Sequence, residues 1–223
     1  MNLSDITLIA LTHKEKYADT IKAIDFCCKH INFGEVKIVS NTKEDNAYQH
    51  IDSNLVTSIV GYNEICIKHL YDMIATDFCL IVQWDGFIIN HDLWRDEFLN
   101  YDYIGAPWDH AISKNRIGNG GFSLRSKKFL EVSSRLEYNP KECQWLYDWQ
   151  QNHRDTTPED WFLCYENYEY MLEQNIKFPN VKLAAQFAVE YPLPCHRFDK
   201  ADATTYNSFG FHGNFNTGAM ALV

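Results

Sequence analysis

The sequence predicts an α/β fold: a mostly parallel central sheet flanked by helices, formed as a single domain over residues 1–223. Three observations predict it. Short apolar runs of β-type residues alternate with amphipathic helical stretches through the first hundred residues, the order that parallel sheets with helical crossovers require. A chain of 223 residues is long enough for one sizeable core and short for two. Its 46% hydrophobic and 15% aromatic content is globular, and no internal repeat, low-complexity segment or linker interrupts it.

The elements follow in order. "ITLIALTH" (Ile6 to His13) is a compact strand signal, and "EKYADTIKAIDFCCKHI" places Tyr17, Ile21, Ile24, Cys28 and Ile31 on one helical face. "EVKIVS" (Glu35 to Ser40) predicts a second strand and "LVTSIV" (Leu55 to Val60) a third. A helix over Asn63 to Ile74 then leads into a strand from Phe78 to Trp84. After residue 100 the alternation gives way to loops and shorter elements. "NGGFSLRSKKFLEV" reads as a strand ending near Arg125 and a helix capped by Ser126. "TTPEDWFLCYENYEYMLEQ" opens a further helix, with Thr157 as cap, Pro158 in the first position and acids in the first turn. "KLAAQFAVE" predicts a late strand, and the most loop-like stretches are 109–115 and 138–155.

Bulk properties exclude several functions. A net charge of -10 argues against a nucleic-acid partner, because such surfaces cluster Lys and Arg to displace phosphate counterions. Seven cysteines without any Cys-x-x-Cys indicate neither a zinc site nor a disulfide framework, and fit buried thiols in a reducing compartment. The first residues read as a strand rather than a signal peptide, and no run approaches the roughly 20 apolar residues of a membrane span. A cytoplasmic protein is expected, with peripheral membrane contact left open.

The chemistry-bearing stretch is "FCLIVQWDGFIINHDLW" (Phe78 to Trp94). An apolar strand delivers a lone carboxylate, Asp85, to its carboxyl end, which is where open α/β sheets bind ligands. Such a carboxylate can hold a divalent cation bridging two phosphates, and Gly86 lets the backbone turn close to the ligand. For an isolated Trp84-Asp85-Gly86, a turn cap is the plainer reading. "RIGNGGFSLRS" (Arg116 to Ser126) brings backbone near a ligand, with Asn119 to hydrogen-bond hydroxyls and Gly120 and Gly121 for close approach, or forms only a turn. It lacks the spacing of a dinucleotide fingerprint and precedes a strand, which disfavours an oxidoreductase. Glu159 and Asp160 open a helix, where acids also sit simply to complement the dipole.

The strings "LIVQWDGFIINHDLW", "EFLNYDYIGAPW", "GNGGFSLRS", "PEDWFLC" and "FGFHG" occur in this order between Phe78 and Gly213. Together they resemble an uncharacterised glycosyltransferase-like domain family, itself similar to nucleotide-sugar transferases of the GT-A (Rossmann-like) fold. The resemblance implies a nucleotide-binding half at 1–100 and an acceptor and catalytic half at 101–223. It implies a nucleotide-sugar donor, guessed as a UDP-sugar, and a saccharide or lipid-linked saccharide acceptor. In such enzymes the central strand commonly ends in a metal-binding Asp-x-Asp; here it is Gln83-Trp84-Asp85, with one acid only. His212 is the implied second ligand, and an imidazole beside a carboxylate suits Mn²⁺ better than Mg²⁺. "PEDWFLC" is similar to the Pro-Glu-Asp segment of the Fringe and core-one galactosyltransferase families, which makes Asp160 the implied base of an inverting transfer and Glu159 a positioning residue. Thr12, Gln83, Trp84, Asp102, Trp108, Asn119, Gly120, Gly121 and Arg125 are the candidate donor and acceptor contacts, with core packing an equal account of Trp108; Arg116 and Arg125 suit a diphosphate by guanidinium pairing, against a default of solvated surface. Other readings are a degenerate module that binds a nucleotide or glycan without turnover, and a nucleotide-sugar hydrolase.

Overall fold

The computed structural model describes residues 1–44, 46–108, 115–139, 156–190, 207–213 and 217–223. Of the predicted loops at 109–115 and 138–155, residues 109–114 and 140–155 lie outside the described residues. A six-stranded sheet runs in the order β3-β2-β1-β4-β6-β5. Its strands are β1 (Asn2–Thr12), β2 (Asn32–Ser40), β3 (Gln49–Asp52), β4 (Phe78–Val82), β5 (Tyr103–Gly105) and β6 (Ser123–Ser126). The pairs β3/β2, β2/β1 and β1/β4 are parallel, and β6 is antiparallel to both β4 and β5. The predicted mostly parallel α/β sheet is therefore the observed one, with one reversed strand. Chain order turns back between β1 and β4, so the crevice at their carboxyl ends is the switch point where such sheets bind ligands.

β4 is central because it can be. Cys79, Leu80, Ile81 and Val82 are all fully buried, the continuous apolar run of a strand covered on both faces. One face is covered by α1 (Tyr17–Cys28), which buries Tyr17, Thr20, Ala23, Ile24 and Cys27. This face is turned from the predicted one, leaving Ile21 and Cys28 at its margin. Thr20 can be inside because its hydroxyl donates to the Lys16 carbonyl at 2.8 Å and is hydrogen-bonded to the Thr12 hydroxyl at 2.9 Å. α2 (Ile59–Glu64), a π-helical stretch Ile65–His69 and α3 (Leu70–Met73) form the next layer, with α4 (Lys127–Ser134) beside them.

Three expectations are overturned, the first two by side-chain capping bonds that propensity does not register. Leu55 to Val60 is no strand: Ser53 and Ser58 accept from the Leu55 and Gly61 N–H groups and cap two helical segments there. Leu55 and Ile59 stay 38% and 50% exposed, so this apolar run never enters the sheet, and β3 forms earlier, at Gln49–Asp52. "KLAAQFAVE" is mainly a helix, Val181–Phe187, capped by Asn180, with only Ala188–Val189 extended as β7. α5 (Glu159–Trp161) begins one residue later than expected: Pro158, with non-helical ψ 141°, is its cap rather than its first residue, and Thr157 precedes the cap. Ser126 does cap α4 as expected, accepting from Phe129 N–H across 3.0 Å.

A second small sheet pairs β7 with β8 (Gly210–Phe211) in parallel. Beneath it Phe98, Phe122, Phe187 and Phe209 pack with ring centroids 5.1–6.4 Å apart, each pair worth roughly 0.5–1.5 kcal/mol beyond its burial. This aromatic floor fixes β8 against the turn that follows β4. Ile88 bridges to Gly210, and Phe211 N–H donates to the Phe87 carbonyl.

Candidate functional site

The end of β4 is held by a tight turn. Gln83 and Gly86 exchange backbone hydrogen bonds of 2.8 and 3.1 Å, which lifts Trp84 and Asp85 to the carboxyl edge of the sheet. Gly213 N–H donates to the Asp85 carbonyl at 2.8 Å, and His212 N–H to the Val189 carbonyl at 3.0 Å. Through these bonds a histidine 129 positions later stands beside Gln83, its Nε2 3.1 Å from Gln83 Oε1. A Cβ on Gly121 would overlap His212 Nε2, and one on Gly86 would crowd its ring. Both glycines are where the histidine comes to rest.

The electrostatics of this corner are acidic. His212 Nδ1 lies 3.4 Å from Glu190 Oε1. Burial works against a charge on the His212 ring, but Glu190, Asp85 and Asp160 outweigh it and hold the imidazole above its usual range. Burial pushes the Asp85 carboxyl up, with His212 and Lys16 offsetting part of the effect. Asp85 Oδ1 is buried without a hydrogen-bond partner among the described residues, an arrangement that costs free energy unless a ligand satisfies it. Lys16 Nζ sits 3.7 Å over the Trp84 ring.

A cavity of about 470 Å³ opens beside this corner, lined in part by Tyr62, Asn63, Gln83, Gly120, Gly121, Glu159, Asp160 and His212. The Pro158 to Asp160 turn is anchored from two sides. Asn63, buried, accepts from Glu159 N–H at 3.2 Å and donates to the Thr157 carbonyl at 2.7 Å. Asp160 faces the cavity, with Oδ2 accepting from Gly120 N–H at 3.0 Å and Oδ1 from Trp161 N–H at 2.8 Å. Glu159 turns inward and pairs with Arg125 at 2.7 Å. Burial opposes the Arg125 charge, and Glu159 more than offsets it, so the guanidinium is held firmly protonated.

The structure thus brings Gln83, Gly120, Gly121, Glu159, Asp160 and His212 to one cavity, with Asp85 and Trp84 on the adjoining turn. Other predicted contacts are placed elsewhere. Arg125 is 0% exposed, with Nε on Ser123 Oγ and Nη2 on Glu159, so it supports the acidic turn rather than meeting a diphosphate. Asp102 stands at the start of β5, by the amino end of β4, bound to Ser126 Oγ and Lys177 N–H. That is the opposite edge of the sheet from Asp85. Trp108 is buried against Trp161 and over Gly118, and Asn119 is buried in a left-handed conformation with φ 64°; both shape the glycine loop from behind. Arg116 donates to the Trp108 carbonyl at 3.1 Å. Thr12 lies at the carboxyl end of β1, its hydroxyl engaged by Thr20.

Sequence reasoning missed Tyr62, Asn63, Lys16 and Glu190. Glu190 follows the apolar pair Ala188–Val189 as Asp85 follows β4, and that parallel was a usable signal. Tyr62 and Asn63 had none, because they reach the site through contacts 21 and 94–96 positions away.

The groups that could hold a divalent cation here are the partnerless Asp85 oxygen, the Gln83 amide oxygen and His212 Nε2. The fit requires the Gln83–His212 hydrogen bond to open. Among the described residues no cluster of three or more His, Cys, Asp or Glu side chains has a metal-holding geometry. No helix among the described residues is long and apolar enough to cross a membrane.

Comparison with solved structures shows the same architecture. A glycosyltransferase involved in the glycosylation of the major capsid of PBCV-1 superimposes with a TM-score of 0.51 at 12% identity, over 98% of this chain and 99% of that one. The galactosyltransferase LgtC, in complex with donor and acceptor sugar analogs, gives 0.50 at 11% identity over 93% of this chain and 87% of its own. No curated protein matches the chain. The family described as "Protein of unknown function (DUF5672)" matches residues 45–212, a span containing Tyr62, Gln83, Asp85, the glycine loop, Asp160 and His212. The chain belongs to this DUF5672 family, and its fold is that of the GT-A glycosyltransferases.

Proposed function

We propose that this chain is a single-domain, inverting, metal-assisted glycosyltransferase that moves a sugar from a nucleoside-diphosphate donor, UDP first among them, to a saccharide or lipid-linked saccharide. The observation that carries the proposal is Asp160: an exposed-side carboxylate held by two backbone N–H groups, on the wall of the cavity that Gln83 and His212 also line. Those two bonds leave lone pairs on both carboxylate oxygens, and fix the group where an acceptor hydroxyl can reach it.

In this reading Asp160 takes the proton of the acceptor hydroxyl as its oxygen bonds to the anomeric carbon, and the bond from that carbon to the diphosphate oxygen breaks. Asp85, Gln83 and His212 would hold Mn²⁺ or Mg²⁺, which supplies positive charge for the departing diphosphate. The need for such charge follows from the corner itself, where Asp85, Asp160 and Glu190 outnumber His212 and Lys16. Glu159 and Arg125 position the acidic turn. Gly120 and Gly121 leave backbone open to a sugar ring.

The test is a thermal-shift panel of UDP, GDP, dTDP and CMP with Mn²⁺, Mg²⁺ or chelator, on wild type and Asp85→Ala. A ligand at about 100 times its dissociation constant adds ~2.7 kcal/mol to stability. A shift with one nucleotide that needs metal and vanishes in Asp85→Ala supports the reading; no shift with any nucleotide overturns it. The amide at position 83 favours one competing reading, a module that binds without turnover. Nucleotide binding without acceptor-dependent nucleotide release would select it.

A further inference from the structure

Gln83 stands where a carboxylate would need no orienting. The oxygens of a carboxylate are equivalent, so either can serve a cation, whereas an amide presents an acceptor on one side and two N–H donors on the other. Turned the wrong way, Gln83 would point protons at the cation position.

The contact that decides its direction is on α2. Gln83 Nε2 donates to the Tyr62 hydroxyl oxygen across 2.7 Å. In this bond the phenol oxygen is the acceptor. An acceptor selects the NH₂ side of the amide. Gln83 Oε1 is thereby sent the other way, to within 3.1 Å of His212 Nε2.

We infer that Tyr62 is a positioning residue, setting the Gln83 amide so that its carbonyl oxygen faces the cation position beside Asp85 and His212. The inference rests on the metal-assisted reading above and adds to it the device that lets an amide do the work of an acid. Once His212 Nε2 is bound to a cation it no longer donates to Gln83, and the Tyr62 bond is what keeps the carbonyl turned inward. Residues that orient metal ligands in this way typically change affinity by 10–100-fold when removed.

The experiment is a titration of Mn²⁺, with free ion read by electron paramagnetic resonance, into wild type, Tyr62→Phe, Gln83→Glu and the double variant. Tyr62→Phe is expected to bind Mn²⁺ roughly 10–100-fold more weakly than wild type. In the Gln83→Glu background the same change should cost almost nothing, because a carboxylate needs no orienting. Unchanged affinity in Tyr62→Phe overturns the inference. Equal losses in both backgrounds also overturn it, since the phenol would then only support the fold. A wild-type chain that binds neither Mn²⁺ nor Mg²⁺ overturns the metal-assisted reading itself, and the inference falls with it; that outcome is distinct from the other two because it appears before any substitution is made.

Discussion

Arg125 Nη2 donates to Glu159 Oε1 across 2.7 Å, with the two side chains 0% and 4% exposed. The pair ties β6 to α5, and so the glycine loop to the acidic turn. Removing one member leaves a buried charge uncompensated, which costs about 3–5 kcal/mol, whereas replacing both by apolar groups is often near neutral. Arg125→Leu should therefore lower the urea midpoint sharply, and Arg125→Leu with Glu159→Leu should regain most of it. A single variant as stable as wild type would show that the pair is not a structural tie.

Asp160→Asn keeps the shape of the turn and one acceptor oxygen while losing the basic carboxylate. Turnover should fall by roughly 10²–10⁴-fold, with metal-dependent nucleotide binding retained. Acceptor-dependent nucleotide release, followed alongside a thermal shift, separates the two. Equal loss of binding and turnover would assign Asp160 to the donor instead.

Gly121→Ala places a methyl group where His212 Nε2 and Gln83 Oε1 now lie. The ring must move, since β8 holds its backbone. Nucleotide and metal binding should be lost while the sheet stays folded, as read by circular dichroism and a Mn²⁺ titration. Wild-type affinity would mean that His212 has room to spare.

Asp85 carries a pH prediction. Its folded-state carboxyl is raised, chiefly by burial, so the folded chain keeps that proton to higher pH than the unfolded one. Its contribution to stability is present at low pH and lost as pH rises from about 4, the unfolded value, through the folded one. In chelator, Asp85→Asn should melt higher than wild type at pH 7, with the advantage shrinking as pH falls towards 4. The same variant should lose the metal-dependent nucleotide shift. An Asn variant no more stable than wild type at neutral pH would show that the lone carboxylate is not strained.

Much of this was legible locally. Ser126 capping α4, the buried run of β4 and the carboxylate at its end are all written in neighbouring residues. Leu55 to Val60 misled because Leu55 and Ile59 remain exposed while two serines divert the backbone into helix. Arg125 and Asp102 were read as ligand contacts since charged residues near glycine and aromatic loops do fit phosphates and sugars. Their true partners, Glu159 and Ser126, are 34 and 24 positions away, and no spacing rule reaches that far. Strand reversal did the rest: β6 runs against β4, which carries the residues before β6 to the Asp85 edge and those before β5 to the other.

The hydrogen bond between Gln83 and His212 spans 129 positions, and the one between Glu159 and Asn63 spans 96. Each requires a long loop to close before it yields any stabilisation, and such non-local pairings slow folding. None of these contacts can form inside one hairpin or one strand-helix-strand unit. On refolding from denaturant, the helices of α1 and α4 should therefore recover well before nucleotide binding does, and regained ligand affinity would mark the last kinetic phase. A newly made chain would assemble this candidate site only when the Phe211-His212-Gly213 segment docks against the turn after β4, so the corner also serves as a clock for the completion of the fold.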